Sequence, residues 1–325
     1  MDYLYIFALQ SSAELGSARI TTGLKNSSPN EIILYEADLQ PLRSRGEAGL
    51  QKYFNKLISY GYHNHTSDFL GGWKSNQRLK KNSPISLATE LNLFNREVER
   101  HSVKNCIDPS EGLKGVFFHT ELQQAVVKAC TVPGPMKQLA RETITEIHEV
   151  DIQIYTDGSK TEEHQSGSGV YIKTPNSEVK KIKLRNPDNS SVFRSELLAI
   201  DAGLEAILNE ANYGAVWILS DSRGSIQHLK DWINVGDRTS IAILNFLRHI
   251  TVDHEVHLQW IPSHVGIYGN EVADDFAKQG SVEPLCSVAS LAFDELYSSR
   301  KNNDLKTWRV PLLMIWYRRR CPGGI

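Results

Sequence analysis

The run Val216-Trp217-Ile218-Leu219 has no polar residue to break it, and it ends abruptly at Ser220-Asp221. A strand with one wet face alternates apolar and polar side chains, whereas a continuous apolar strand must be covered on both faces. That need narrows the fold more than any other feature of the chain. It calls for helices above and below a sheet, the layered α/β class.

The neighbouring segments supply the rest of such a sheet. Asp151 to Asp157 reads as a strand, with Ile152 and Ile154 on one face and Tyr155 and Asp157 on the other; Gly158-Ser159 is then expected to turn the chain. Gly167 to Thr174 and Glu178 to Leu184 read as two strands joined at Pro175-Asn176-Ser177, a hairpin. Asn189-Ser190-Ser191 offers cap oxygens to a helix carrying Leu197, Ile200, Leu204, Ile207 and Leu208 at helical spacing. Helical stretches follow at Arg223 to Ile233 and Ser240 to Ile250, then a fifth strand from Glu255 to Ile261, stopped by Pro262. Asn270 is expected to cap a last helix that turns Val272, Phe276 and Ala277 inward. The expectation is a five-stranded mixed sheet with helices on both faces, occupying residues 150–282.

Residues 1–149 are expected to be mainly helical without a clear architecture. Leu42 to Tyr60 has an amphipathic helical pattern, Tyr62 to Asn82 is polar and turn-rich, and Gly112 to Pro135 has no clear period. Thr131 to Pro135 reads as a linker before a short helix to Glu149. Residues 283–325 read as a basic, aromatic tail closing on Trp316-Tyr317-Arg318-Arg319-Arg320. The cysteines Cys106, Cys130, Cys286 and Cys321 form no CxxC pair and suit a reducing, intracellular compartment. Met1 to Gln10 is short and lacks a basic region, so no signal peptide is expected. No stretch approaches the ~18 apolar residues of a membrane span.

Four carboxylates carry the chemistry. Asp157 and Asp221 close strands, Glu196 lies in the first turns of the next helix, and Asp274 opens the last one. In open α/β sheets, ligands collect at the carboxyl ends of the strands, so parallel neighbours would bring Asp157 and Asp221 side by side. Converging carboxylates repel, and Mg²⁺, which takes carboxylates and waters in octahedral geometry, relieves that repulsion. Singly, each acid has a plainer role: turn residue, helix-dipole partner, strand terminator or first-turn acid. Spacing alone does not choose between a metal site and coincidence.

The wording around these acids is more specific. Tyr155-Thr156-Asp157-Gly158-Ser159, Ser195-Glu196-Leu197, Leu219-Ser220-Asp221-Ser222, Trp260-Ile261-Pro262-Ser263-His264-Val265-Gly266 and Gly269-Asn270-Glu271-Val272-Ala273-Asp274 resemble the blocks of type-1 ribonuclease H. The resemblance covers roughly Val150 to Ser281. It implies the ribonuclease H-like fold and Mg²⁺-dependent cleavage of the RNA strand of an RNA–DNA hybrid, with Mn²⁺ as a substitute ion. It implies Asp157, Glu196, Asp221 and Asp274 as ligands of two ions, and His264 as a loop histidine that assists proton movement or product release. Gly158 and Ser159 would touch the hybrid backbone, although a turn-capping hydroxyl accounts for Ser159 equally well.

The same blocks are similar to the ribonuclease H domains of non-LTR retrotransposon polyproteins of the jockey type. Ser17 to Gly23 resembles the segment after their reverse transcriptase core, and Lys306 to Trp308, Trp316-Tyr317 and Cys321 to Gly324 resemble their C-terminal region. No polymerase core is present; Val272-Ala273-Asp274-Asp275 mimics a polymerase motif but sits in a helical pattern. The resemblance therefore implies a C-terminal fragment whose polymerase is supplied elsewhere, and a catalytically idle remnant remains the other reading.

Charge bears on substrate grip. Residues 151–282 carry 12 Lys and Arg against 18 Asp and Glu, a net −6, while the chain as a whole is −2. Only a short turn around Asn234-Val235-Gly236 separates the two middle helices, with no lysine cluster of the kind some ribonucleases H insert there. Weak binding to hybrid by this segment alone is expected. His63-Asn64-His65 lacks acidic or cysteine partners at metal spacing, and Lys180, Lys181 and Lys183 suit a protected edge strand.

Overall fold

A computed structural model describes residues 3–61, 64–72, 86, 98–99, 107–108, 110–122, 133–176, 178–285 and 290–308. The four cysteines, His63, and the tail from residue 309 with its arginine run lie outside the described residues. The chain divides into two compact units, residues 1–98 with 296–325, and residues 99–295.

The first unit is helical: α1 (Tyr3–Thr22), α2 (Asn30–Glu36), α3 (Leu42–Ser59) and α4 (His65–Gly72). Helix α3 matches the amphipathic pattern read from Leu42 to Tyr60, and α4 is a helix within the stretch expected to be turn-rich. Among described helices, none is long and apolar enough to cross a membrane.

The second unit is built on one sheet. Its elements in order are β1 (Val116–His119), α5 (Pro133–Thr145), β2 (Ile152–Lys160), β3 (Ser166–Lys173), β4 (Val179–Arg185) and α6 (Val192–Ile207). Then come β5 (Val216–Ser220), α7 (Arg223–Lys230), α8 (Arg238–Ile250), β6 (Val256–Trp260) and α9 (Tyr268–Ser281), with α10 (Phe293–Trp308) beginning at its end. The strand order is β1-β6-β5-β2-β3-β4. β2 pairs parallel with β5, β5 with β6 and β6 with β1, while the β2-β3 and β3-β4 pairs are antiparallel. The mixed α/β architecture expected from the apolar run is thus present, with one strand more.

The extra strand, β1, lies in the stretch that showed no period. Four residues, Val-Phe-Phe-His, are too few to display alternation, and they are held by pairing with β6 rather than by local pattern. Three local expectations also need correction. β2 does not turn at Gly158-Ser159 but runs to Lys160, because β3 pairs with it as far as Lys160↔Ser166. The turn follows, where Thr161 N–H donates to Gln165 O. Pro133 to Pro135 is the first turn of α5 rather than a linker, a position where proline's missing N–H costs nothing. Asn270 does not cap α9: the helix begins at Tyr268 after Ile267, and Asn270 is buried within it. Asp274 accordingly sits in the second turn, not at the helix start.

Ile154, Val170, Leu197, Ile200, Leu204, Ile218 and Leu258 are wholly inaccessible and form the centre of one core between the sheet and α6, α7 and α8. The other face of β2 and β3 carries α9 at very short range. A Cβ on Gly169 would meet Ala273 O at 2.0 Å, so only glycine lets the helix backbone lie on the strand there.

Candidate metal centre

The parallel pair β2-β5 places Thr156 opposite Ser220, so Asp157 and Asp221 emerge together at the carboxyl end of the sheet. Helix α6 delivers Glu196 to the same spot. Ser191 fixes that helix start by accepting the Arg194 N–H, as the Asn-Ser-Ser signal anticipated. The approach of α6 to β2 depends on Gly158, where a Cβ would fall 2.6 Å from Glu196 N and 2.9 Å from Ser195 Cβ. One oxygen each of Asp157, Glu196 and Asp221 lies within 4.8 Å of the others.

Asp274 joins from α9. Its carboxylate and that of Asp157 lie at hydrogen-bonding range, and its other neighbour is Lys278, whose Nζ donates to Oδ2 at 2.5 Å. Asp274, Glu271 and the exposed His264 form a second group, again with ligand atoms within 4.8 Å of one another. His264 itself has φ of +54°, sparsely populated for a residue with a Cβ, and Gly266 follows at +73°. The loop is tied to α9 by Gly266 N–H donating to Glu271 Oε1 at 3.1 Å.

The electrostatics follow from burial. Asp157 and Glu196 are both nearly inaccessible. Loss of solvent, then the neighbouring Asp221 and Asp274, push the Asp157 carboxyl up to about 8. Burial, then Asp157 and Asp221, hold Glu196 well above the usual carboxylate range, against the Gly158 N–H, which favours its charged form. Glu196 Oε2 is buried with no hydrogen-bond partner. Two buried acids that repel, one with an orphaned oxygen, are a donor set for a hard divalent cation. Asp221 is anchored from behind, since Trp260 Nε1–H donates to its backbone oxygen at 3.1 Å and the Arg223 guanidinium lies 4.0 Å over the Trp260 ring.

A family model for RNase H matches residues 149–282. The ribonuclease H of Orientia tsutsugamushi (strain Boryong) is 30% identical over 148 residues, which span 42% of this chain and 85% of the relative. The chain belongs to the ribonuclease H family. Among solved structures it is similar to RNase H1 from the halophilic archaeon Halobacterium salinarum NRC-1, at 16% identity and a TM-score of 0.33 over 40% of this chain and 96% of that one. It is likewise similar to the N-terminal RNase H domain of rv2228c from Mycobacterium tuberculosis, at 17% identity and a TM-score of 0.33 over 40% of this chain and 93% of the other.

The four acids singled out in the sequence thus come together, with His264 at their edge. Gly158 lies beneath Glu196, and Ser159 is half-buried one position further along β2, paired with Gly167. Sequence reasoning missed Arg194, two residues before Glu196. Its guanidinium bridges Glu99 Oε2 at 2.8 Å and Glu295 Oε2 at 2.9 Å. Glu295 Oε1 accepts from Ser191 N and Oγ, and Glu99 Oε1 accepts from Arg238 N. No local pattern signals this triad, because its partners lie 95 and 101 residues away in the chain.

Proposed function

We propose that this ribonuclease H hydrolyses the RNA strand of RNA–DNA hybrids endonucleolytically, using two Mg²⁺ ions held by Asp157, Glu196, Asp221 and Asp274. The observation that carries this reading is the meeting of mutually repelling carboxylates from β2, α6 and the end of β5, two of them buried, with Glu196 Oε2 left unpartnered. Bound between such acids, paired divalent ions supply the charge that activates water and stabilises the phosphodiester as it breaks.

The chain's own groups do the positioning. Gly158 N–H orients Asp157 and Glu196, the Trp260 indole fixes the backbone at Asp221, and Lys278 holds Asp274. His264, exposed on its strained loop beside Asp274, is placed to hand a proton to the departing oxygen or to ease product release. Gly158 and Ser159 at the end of β2 are assigned the hybrid backbone.

A polymerase partner and an origin in a jockey-type retrotransposon are supported only by the Ser17 to Gly23 and C-terminal resemblances. The test is cleavage of a labelled hybrid with Mg²⁺, comparing the full chain with Asp157→Asn and Asp221→Asn. Loss of one preorganised electrostatic partner predicts a fall of about 10²–10³-fold or more in each variant. Wild-type cleavage no faster than the variants would leave the idle-remnant reading standing.

A further inference from the structure

A nuclease whose domain carries a net −6 must draw its polyanionic substrate with a few well-placed cations. Half of the twelve Lys and Arg of residues 151–282 pair with carboxylates, Arg248 with Glu111 among them. Lys180 pairs with Glu210, Lys183 with Glu283, Arg185 with Asp188, Lys278 with Asp274, and Arg194 with Glu99 and Glu295. Lys137 is also uncommitted, and it stands against the His264 loop. It lies on α5, upstream of the 149–282 span that matches the family, and no described carboxylate pairs with it.

Its ammonium lies against Gly266, where a Cβ on that glycine would stand 2.6 Å from Lys137 Nζ. Gly266 is two residues beyond His264, whose ring nitrogen is within 4.8 Å of Asp274 and Glu271 ligand atoms. The position is a fixed one, because Met136 and Ala140 on either side of Lys137 are buried in the same core as the sheet. Each strand of a duplex carries a phosphate about every 3.4 Å of axis, so phosphates flanking the scissile one must pass the rim of the acid pocket. A compact ammonium on a flexible stem suits such a contact.

We propose that Lys137 is a substrate-binding residue contributed from outside the family-matched span, holding a backbone phosphate of the hybrid on the His264 side of the acid pocket. The proposal rests on the hybrid-nuclease reading above. It makes α5 part of the nuclease's binding face rather than an inert leader.

The test measures binding of a fluorescent RNA–DNA hybrid by the full chain in an Asp157→Asn background with Mg²⁺, over a series of KCl concentrations. Adding Lys137→Gln is expected to weaken binding about three- to tenfold and to lessen the slope of log affinity against log salt by about one. Lys137→Glu should weaken it further, and Lys137→Arg should keep the parent slope. In the cleaving chain, Lys137→Gln should raise KM and leave kcat within about twofold, as expected for lost uniform binding. An unchanged salt slope, or a loss confined to kcat with a shifted pH profile, would show that Lys137 merely steadies the His264 loop and would overturn the proposal. No hybrid binding by the parent chain would remove both readings; binding with an unaltered slope would remove only that of Lys137.

Discussion

The first turns of helix α6 face two carboxylate clusters that are built oppositely. At the helix start, Glu99 and Glu295 are buried, yet all four of their oxygens accept a hydrogen bond, from Arg194, Ser191, Arg238 or Ala292. Half a turn on, Asp157, Glu196 and Asp221 face one another, and a buried oxygen of Glu196 has no donor. Both clusters bury negative charge, which is costly unless compensated. The first is compensated by the protein itself and so ties segments distant in sequence. The second is not compensated by the protein, and that difference is what the proposed metal site rests on.

Replacing Arg194 with methionine breaks the closed cluster. It leaves two buried carboxylates without their cation and should destabilise the second unit by about 3–5 kcal/mol, read as a drop in urea midpoint. A negligible change would mean that the triad contributes little to the fold.

The open cluster should respond to pH in the opposite sense from an ordinary salt bridge. Asp157 and Glu196 hold protons in the folded chain that the unfolded chain releases, so the unfolded state binds fewer protons as pH rises from 3.8 towards about 8. In EDTA, stability therefore falls over that window and is greatest at its acid end. If the proposed site binds Mg²⁺, the ion should favour the ionised acids, flatten the slope and release protons. Melting temperatures with and without Mg²⁺ across pH 4 to 8 measure this, and identical curves would contradict it.

Substituting Gly158 with alanine tests how closely the open cluster is assembled. The new methyl group falls on the Glu196 backbone, so a stability loss of about 1–3 kcal/mol should accompany a rise in the Mg²⁺ concentration needed for half-maximal cleavage. A variant that loses stability but keeps the Mg²⁺ requirement would show that Glu196 tolerates displacement. The smallest effect belongs to His264→Ala at the pocket's exposed edge. Cleavage should fall by less than the ~10²-fold that a full general acid contributes, with an altered pH–rate profile.

The parts legible in the sequence were those with a local signature. The unbroken run at Val216 announced a sheet covered on both faces, Ser191 announced the start of α6, and the acids came with recognisable neighbours. What escaped depends on residues far apart. β1 is a strand only because β6 accepts it, Arg194 finds Glu99 and Glu295 across about a hundred residues, and Lys137 reaches the His264 loop from another element. Asn270 looked like a cap because caps are judged by residue type, but Ile267 precedes the helix and Asn270 is enclosed.

Strand β1 also has a bearing on how the nuclease can be cut out for study. It occupies the outer border of β6, while the opposite border, β4, is guarded by Lys180, Lys181 and Lys183. A protein trimmed to begin at residue 149 would present the bare amides and carbonyls of β6, with no lysine between Val256 and Trp260 to discourage a second molecule from pairing there. Self-association of such a trimmed form would then reflect a missing neighbour strand and not a natural oligomer.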